Sequence, residues 1–238
     1  MSALPAERHV QLSWVLPLFR TRTQLPELCE RIREVSARLA LRHEVILVDD
    51  ACPEGSGVLA TELAETYPQL QVLRLPRNGG QDDALREGLR VSRGEWAVVL
   101  DADLQDPPEA VTQLWPLRSG DVDVVFALRT GRYTTPGRHF TSRLYRNASA
   151  ALGGLPRGAG LYALLSRPLV DRINASHRRR TMLLSLIAAA RPRCATTWIV
   201  RSPRASGVSS YGGAARAGKA MRSLWQMLLA RRLHRPLR

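Results

Sequence analysis

Residues Trp96-Ala97-Val98-Val99-Leu100-Asp101-Ala102-Asp103-Leu104-Gln105-Asp106-Pro107-Pro108-Glu109 decide the fold. The opening apolar run is too short for an ordinary helix and reads as a buried strand. It stops at Asp101, and Pro107 or Pro108 then opens a helix, because proline suits a first turn whose N–H groups lack partners anyway. In extended chain, alternate side chains share a face. That expectation places Asp101, Asp103 and Gln105 together and turns Ala102 and Leu104 the other way. Two carboxylates and an amide oxygen are hard ligands of the kind Mg²⁺ or Mn²⁺ takes, with water and substrate phosphates completing the shell. The plainer alternative is a pair of solvated acids, with Asp106 as a helix N-cap.

Working outward, strand and helix patterns alternate. Strands are expected at residues 9–16, 44–48, 71–75, 96–100 and 123–128, the first ending at Pro17. Between them, Leu25, Leu28, Ile32, Val35 and Leu39 recur at helical steps, as do Val58, Leu59, Leu63 and Tyr67. A further helix at 81–91 is entered through Asn78-Gly79-Gly80. Beyond residue 128 the reading gives a helix at 138–152, a strand at 161–165, a helix at 181–190 and a strand at 196–200. A Gly- and Ser-rich loop follows at 206–213, then a basic amphipathic helix at 218–232. The expected fold is α/β: one Rossmann-like, mostly parallel sheet with helices on both faces over residues 1–215, plus a basic helical segment at 216–238. Ligands of such sheets bind beyond the carboxyl ends of the strands. Pro17-Leu18-Phe19-Arg20, Asp49-Asp50 and Asp101-Ala102-Asp103 all fall there.

The chain has 238 residues, 45% of them hydrophobic, enough for one large core. Its net charge of +14 is divided unevenly. Residues 1–123 carry 13 basic and 20 acidic side chains, whereas residues 124–238 carry 22 basic ones and Asp171 as their one acid. So basic a half attracts phosphates, nucleic acid or an anionic membrane surface. Cys29, Cys52 and Cys194 form no C-x-x-C pair, and no run reaches the ~18 apolar residues of a membrane span. The N-terminus has no basic start followed by an apolar stretch. The expected location is the cytoplasm, peripheral to the inner face of the membrane.

Asp49 and Asp50 are candidates to bond a base or ribose, and Gly80 with Gln81 to let backbone approach a ligand closely. Arg129 and Arg132 follow a strand at the same edge, and Arg204 opens the loop segment Arg204 to Tyr211. Their guanidinium forks suit diphosphate. The chain resembles the dolichol and polyprenyl-phosphate sugar transferases and their bacterial GT-A relatives over roughly residues 10–215. The resemblance rests on Val15-Leu16-Pro17-Leu18-Phe19, Val45 to Asp50, Arg77 to Gln81, Leu100 to Glu109, Arg129 with Arg132, and Arg204 to Tyr211. It implies a GT-A glycosyltransferase with a nucleotide-sugar donor and a divalent metal. By that resemblance Pro17, Phe19 and Asp49 hold the nucleoside, Asp101, Asp103 and Gln105 serve metal and phosphates, and Arg129 and Arg204 bind diphosphate or acceptor phosphate. Three places depart from the family pattern. Arg20-Thr21 stand for its Asn-Glu, Gly158-Ala159-Gly160 for its Asp-x-Gly, and Ser209-Ser210-Tyr211 for its Ser-Lys-Tyr.

Two other classes fit less well. Gly55-Ser56-Gly57-Val58-Leu59-Ala60 matches a dinucleotide fingerprint, but Asp49, Asp50 and Glu54 precede it and would repel a pyrophosphate. A polyanion-binding module would use the basic half, yet no specific nucleic-acid motif is present and the acidic strand ends would be idle. The acceptor follows from what the second half lacks. A sugar hydroxyl needs a general base, and Asp106 is the one acid placed to act. A polyprenyl phosphate is already an anion, and suits a basic, membrane-facing half. Met221, Leu224, Trp225, Leu228 and Leu229 form one apolar face of the terminal helix, which either packs on the core or lies on an anionic leaflet.

Overall fold

Val45–Val48 and Val98–Val99 carry apolar side chains at every position, which only a strand covered on both faces can bury. A computed structural model describes residues 9–130, 153–176 and 181–201, with Gly218, Met221, Trp225 and Gln226. Its strands are β1 (Leu12–Leu18), β2 (His43–Asp49), β3 (Leu70–Arg74), β4 (Trp96–Val99), β5 (Val124–Thr130), β6 (Ala163–Ser166) and β7 (Cys194–Val200). They form one sheet in the order β3-β2-β1-β4-β6-β5-β7. Every pairing is parallel except those of β6, which runs antiparallel between β4 and β5.

Helices α1 (Leu25–Arg38) and α2 (Ser56–Thr66) cover one face, with a short helical stretch that begins at Pro108 as expected and includes α4 (Val111–Leu114). Helices α3 (Gln81–Val91), α5 (Arg167–Asn174) and α6 (Leu183–Ala189) cover the other. The periodic residues Leu25, Leu28, Ile32 and Val35 are buried against the sheet as their spacing requires. The expected mostly parallel sheet with helices on both faces is therefore the fold.

The first strand runs further than expected, because Pro17 lies inside it. Register explains this. β4 pairs with β1 only as far as Val15, so Pro17 lies past the end of that neighbour, where no ladder donor is required of it. The other expected strands and helices are present with ends shifted by a few residues. The expected helix at 138–152, Arg132, Arg204 and the 206–213 loop lie outside the described residues. Of the terminal segment, Gly218, Met221, Trp225 and Gln226 are helical. Gln226 accepts a hydrogen bond from the Met182 amide at 2.9 Å, while Met221 and Trp225 are 70% and 61% exposed.

At the amino end of the sheet the buried Glu44 ties three segments together. It accepts from the Ser13 hydroxyl at 2.6 Å, from the Arg93 amide at 2.6 Å, from Arg93 Nε at 3.0 Å and from Gln71 Nε2 at 3.2 Å. Burial pushes its acidity one way and these donors the other, and the donors prevail, leaving its pKa lowered. Removing a hydrogen-bonded buried charge strands its donors, so Glu44→Ala is expected to cost about 3 kcal/mol. A lower denaturant midpoint with unaltered nucleotide binding checks this, since the network lies at the opposite end of the sheet from the acidic run.

Candidate active site

β1, β2, β4, β5 and β7 all point the same way, so their carboxyl ends share one edge. That edge gathers Pro17 and Phe19 from β1, Asp49 and Asp50 from β2, Asp101 to Asp106 from β4, Arg129 from β5 and Arg201 from β7. Three described non-glycine residues with positive φ sit here: Arg20 at 59°, Ala51 at 49° and Leu104 at 57°. Left-handed backbone at such residues costs roughly 1–2 kcal/mol each, and strain concentrated at one rim is a mark of a functional edge.

The acidic run is not extended, which corrects the expectation. After Val99 the chain turns, with Leu104 left-handed and the Gln105 amide donating to Asp103 Oδ1 at 3.1 Å. The alternation of faces nevertheless survives in burial. Asp101, Asp103 and Gln105 are half-exposed, whereas Ala102 and Leu104 are buried in the core beneath. A tight turn anchored by two apolar residues therefore does what a straight strand was expected to do. Asp101 accepts a hydrogen bond from the Gln81 side-chain amide at the start of α3. Burial raises the Asp101 pKa to about 6; Arg129 and Arg201 oppose the rise, and Asp106 and Asp103 add to it. This excess of negative charge fits a divalent cation. Among the described residues no three His, Cys, Asp or Glu side chains converge as a closed metal cage. Asp101, Asp103 and Gln105 offer hard oxygens for part of a shell, as suits a cation shared with phosphates.

Asp50 works on the protein itself. Its carboxylate accepts from the Gly79 amide at 2.7 Å and the Gly80 amide at 2.8 Å, and its carbonyl from Asn78 Nδ2 at 3.2 Å. Gly80, at φ 86°, opens α3, and the tie sets Gln81 beside Asp101. Both Asp50 oxygens thus position the glycine turn at the start of α3. Asp49 is buried and accepts from the Cys52 amide at 3.0 Å. It packs on Gly57, where an added Cβ would stand 2.0 Å from Asp49 Oδ2. The glycine pattern at residues 55–60 is thus explained by that close approach. Gly57→Ala is expected to displace Asp49 and weaken nucleoside diphosphate affinity at least about tenfold, equivalent to ~1.4 kcal/mol. Calorimetric titration with UDP and GDP reads this directly.

The β1 end is sewn to the β2–α2 loop. The Arg20 amide donates to Cys52 Sγ at 3.2 Å and the Thr21 amide to Ser56 Oγ at 3.3 Å. Phe19 and Pro17 are half-exposed, and the Arg20 guanidinium lies 5.4 Å from the Phe19 ring centre while pairing with Glu54 at 3.2 Å. Cys52 is a joint the sequence reading did not single out; its one cue was its place between Asp50 and the α2 start.

Asp106 does not cap the helix that follows, and its carboxylate is engaged by arginine. The following turn starts after Pro107 with no side-chain cap. Asp106 is fully buried and takes Arg129 in a fork, Nε to Oδ1 at 3.0 Å and Nη2 to Oδ2 at 2.5 Å. The reading of Asp106 as a helix cap is therefore corrected, and its carboxylate is engaged by Arg129. Arg129 in turn lies against Gly160, where an added Cβ would be 3.3 Å from Nη1. The Tyr162 hydroxyl donates to the Pro107 carbonyl at 2.8 Å and closes the floor. Arg201, which the sequence reading missed, reaches the same carboxylate at 3.2 Å. The available signal was its place one residue beyond the last strand, parallel to β5 and its Arg129.

This topology, with acids at the end of β4 and a basic rim on β5 and β7, is that of the GT-A fold. The family model described as "Glycosyl transferase family 2" matches residues 13–173, and the chain belongs to that family. An undecaprenyl-phosphate 4-deoxy-4-formamido-L-arabinose transferase of Pseudomonas fluorescens is 33% identical over 205 residues, 84% of this chain and 60% of the relative. An uncharacterized glycosyltransferase of Bacillus subtilis is 26% identical over 207 residues, 86% of this chain and 64% of the relative. The chain thus spans less than two thirds of the length of these relatives. Among solved structures, glucosyl-3-phosphoglycerate synthase from Mycobacterium tuberculosis with Mn²⁺, UDP and phosphoglyceric acid superposes with a TM-score of 0.68 at 16% identity. That superposition covers 93% of this chain and 78% of the synthase. A mannosyltransferase from Pyrobaculum calidifontis with GDP-mannose and Mn²⁺ gives 0.61 at 19% identity, covering 94% and 70%. Both likenesses bear on the fold.

Proposed function

We propose that this chain transfers a sugar from a nucleoside diphosphate sugar to a polyprenyl phosphate, with inversion at the anomeric carbon. The observation that carries the reading is the meeting of Asp101 and Asp103 with a cationic rim whose nearest acid, Asp106, is already spent on Arg129. Asp101, Asp103 and Gln105 would hold Mn²⁺ or Mg²⁺, which when bound offsets charge growing on the departing diphosphate. Gln81 orients Asp101, and Asp50 orients Gln81 through the glycine turn. Pro17, Phe19 and Asp49 border the nucleoside end. Arg129 faces the anionic centre from the other side, and Arg204 is proposed to join it.

A phosphate oxygen attacks without losing a proton, so this acceptor needs no base from a centre whose nearest acid, Asp106, is engaged by Arg129. The undecaprenyl-phosphate transferase relatives point the same way. No described helix is long and apolar enough to cross a membrane. Work at a lipid surface is ascribed instead to the basic second half and the exposed Met221 and Trp225. Two assays test the proposal. Nucleoside diphosphate with Mn²⁺ is expected to raise the melting temperature by several degrees, since a ligand at ~100 times its Kd adds about 2.7 kcal/mol. Labelled sugar is expected to pass from donor to polyprenyl phosphate. No thermal shift with any nucleoside diphosphate defeats the donor assignment, and transfer only to a lipid-linked sugar hydroxyl defeats the acceptor assignment.

A further inference from the structure

Two guanidiniums converge on Asp106, while Asp101 and Asp103 act on Arg129 from further off. Arg129 occupies both its oxygens, and Arg201 Nε stands 3.2 Å from the same Oδ1 that already receives Arg129 Nε. That contact is out of line for a hydrogen bond, so Arg201 Nε is buried with no hydrogen-bond partner. Leaving a charged donor unmade is costlier than leaving a neutral one, and two guanidiniums at one carboxylate repel each other. A second anion set across from Asp106 would satisfy the idle donor and alternate the charges. Both guanidiniums are about one third exposed, at 32% and 29%, so the pair is open to the crevice while its anchor, Asp106, is not.

We infer that Arg201 is a second anion-binding residue, held beside Arg129 by Asp106, and that the two arginines receive the anionic oxygen of the acceptor rather than the donor diphosphate. The sheet order supports the choice between the two anions. Nucleoside-side residues stand on β1 and β2, the acidic run on β4, and the arginines on β5 and β7. With strands ~4.8 Å apart, β7 lies about 14 Å beyond β4 and about 19 Å beyond β1, on the far side of the acidic run from the nucleoside. Arg201 projects to the same side of the sheet as Arg129, since Ile199 pairs with Arg129 in register and Arg201 follows two residues later.

The inference rests on an anionic acceptor, as proposed above, and its test separates the two. Full-length protein saturated with UDP and Mg²⁺ is titrated calorimetrically with geranyl phosphate and, separately, with geraniol. Wild type is expected to bind geranyl phosphate at least about tenfold more tightly than geraniol. Arg201→Ala is expected to erase about tenfold of the geranyl phosphate affinity, with geraniol and UDP affinities within twofold of wild type. Arg201→Lys, which keeps the charge without the fork, should recover part of the loss. Unchanged geranyl phosphate affinity in Arg201→Ala overturns the inference, as does absence of binding by wild type. An equal loss for UDP assigns Arg201 to the donor and overturns it too. If geranyl phosphate binding depends on Arg201 while long-chain polyprenyl phosphate accepts no sugar, the arginine pair stands and the proposed reaction falls.

Discussion

Asp103→Asn is expected to lower turnover by about 100- to 1,000-fold while leaving the fold and its melting temperature close to wild type. The substitution is isosteric, and asparagine Oδ1 still accepts the Gln105 amide that shapes the turn. What is lost is one negative charge and one hard oxygen on the half-exposed face. A cation shared between that face and a diphosphate loses a ligand, so Mn²⁺ affinity measured by calorimetry should fall with turnover. Asp101→Asn should weaken nucleotide binding as well, because Asp101 also receives the Gln81 side-chain amide. Turnover of Asp103→Asn at the wild-type rate in saturating Mn²⁺ would falsify the metal assignment.

How much of this was legible before any coordinates? The sheet was, because its central strands hold unbroken apolar runs such as Val45–Val48 and its helices carry apolar residues at steps of three and four. Both patterns are set by the backbone period and survive any detail of packing. The conformation of residues 101–105 was not, because a left-handed leucine is allowed only by what surrounds it. The grouping of Asp101, Asp103 and Gln105 came out regardless, since Ala102 and Leu104 had to be buried. Asp50 was placed correctly at the edge, but its bonds to Gly79 and Gly80, 29 and 30 residues away, were not foreseen. Asp106 as a helix cap was a misreading for the same reason. Its local setting before two prolines suggests a cap, while the residue that claims it, Arg129, is 23 positions on. Arg201 could not be told from the other arginines of a strongly basic half until β7 was seen beside β5. Strand-end acids are readable from pattern, then, and long-range ion pairs are not.

Asp106 and Arg129 are expected to fail as one unit. Asp106→Asn and Arg129→Ala should each lower kcat/KM about 100-fold, and the double variant should be no more than a few-fold worse than either. The reason lies in the fork. Arg129 Nε and Nη2 both end on Asp106, and among the described residues that grip sets where its remaining nitrogen points. Neutralising Asp106 keeps the side-chain shape but releases the guanidinium and leaves Arg201 without its counter-charge. Once Arg129 is gone, most of what Asp106 does for the reaction is gone with it. A general base would behave otherwise. Its removal and that of an anion-binding arginine would act on different parts of the transition state, and the two losses would multiply to about 10,000-fold. Stability offers a second reading of the same pair. Asp106 is fully buried while the arginines are about one third exposed, so Asp106→Asn should cost about 3 kcal/mol, near the lower end for a broken buried pair. Activity is therefore compared at a temperature where all four proteins are folded by circular dichroism. Multiplying losses under those conditions return Asp106 to the role of base and the acceptor to a hydroxyl; a shared loss leaves an anionic acceptor that needs no base.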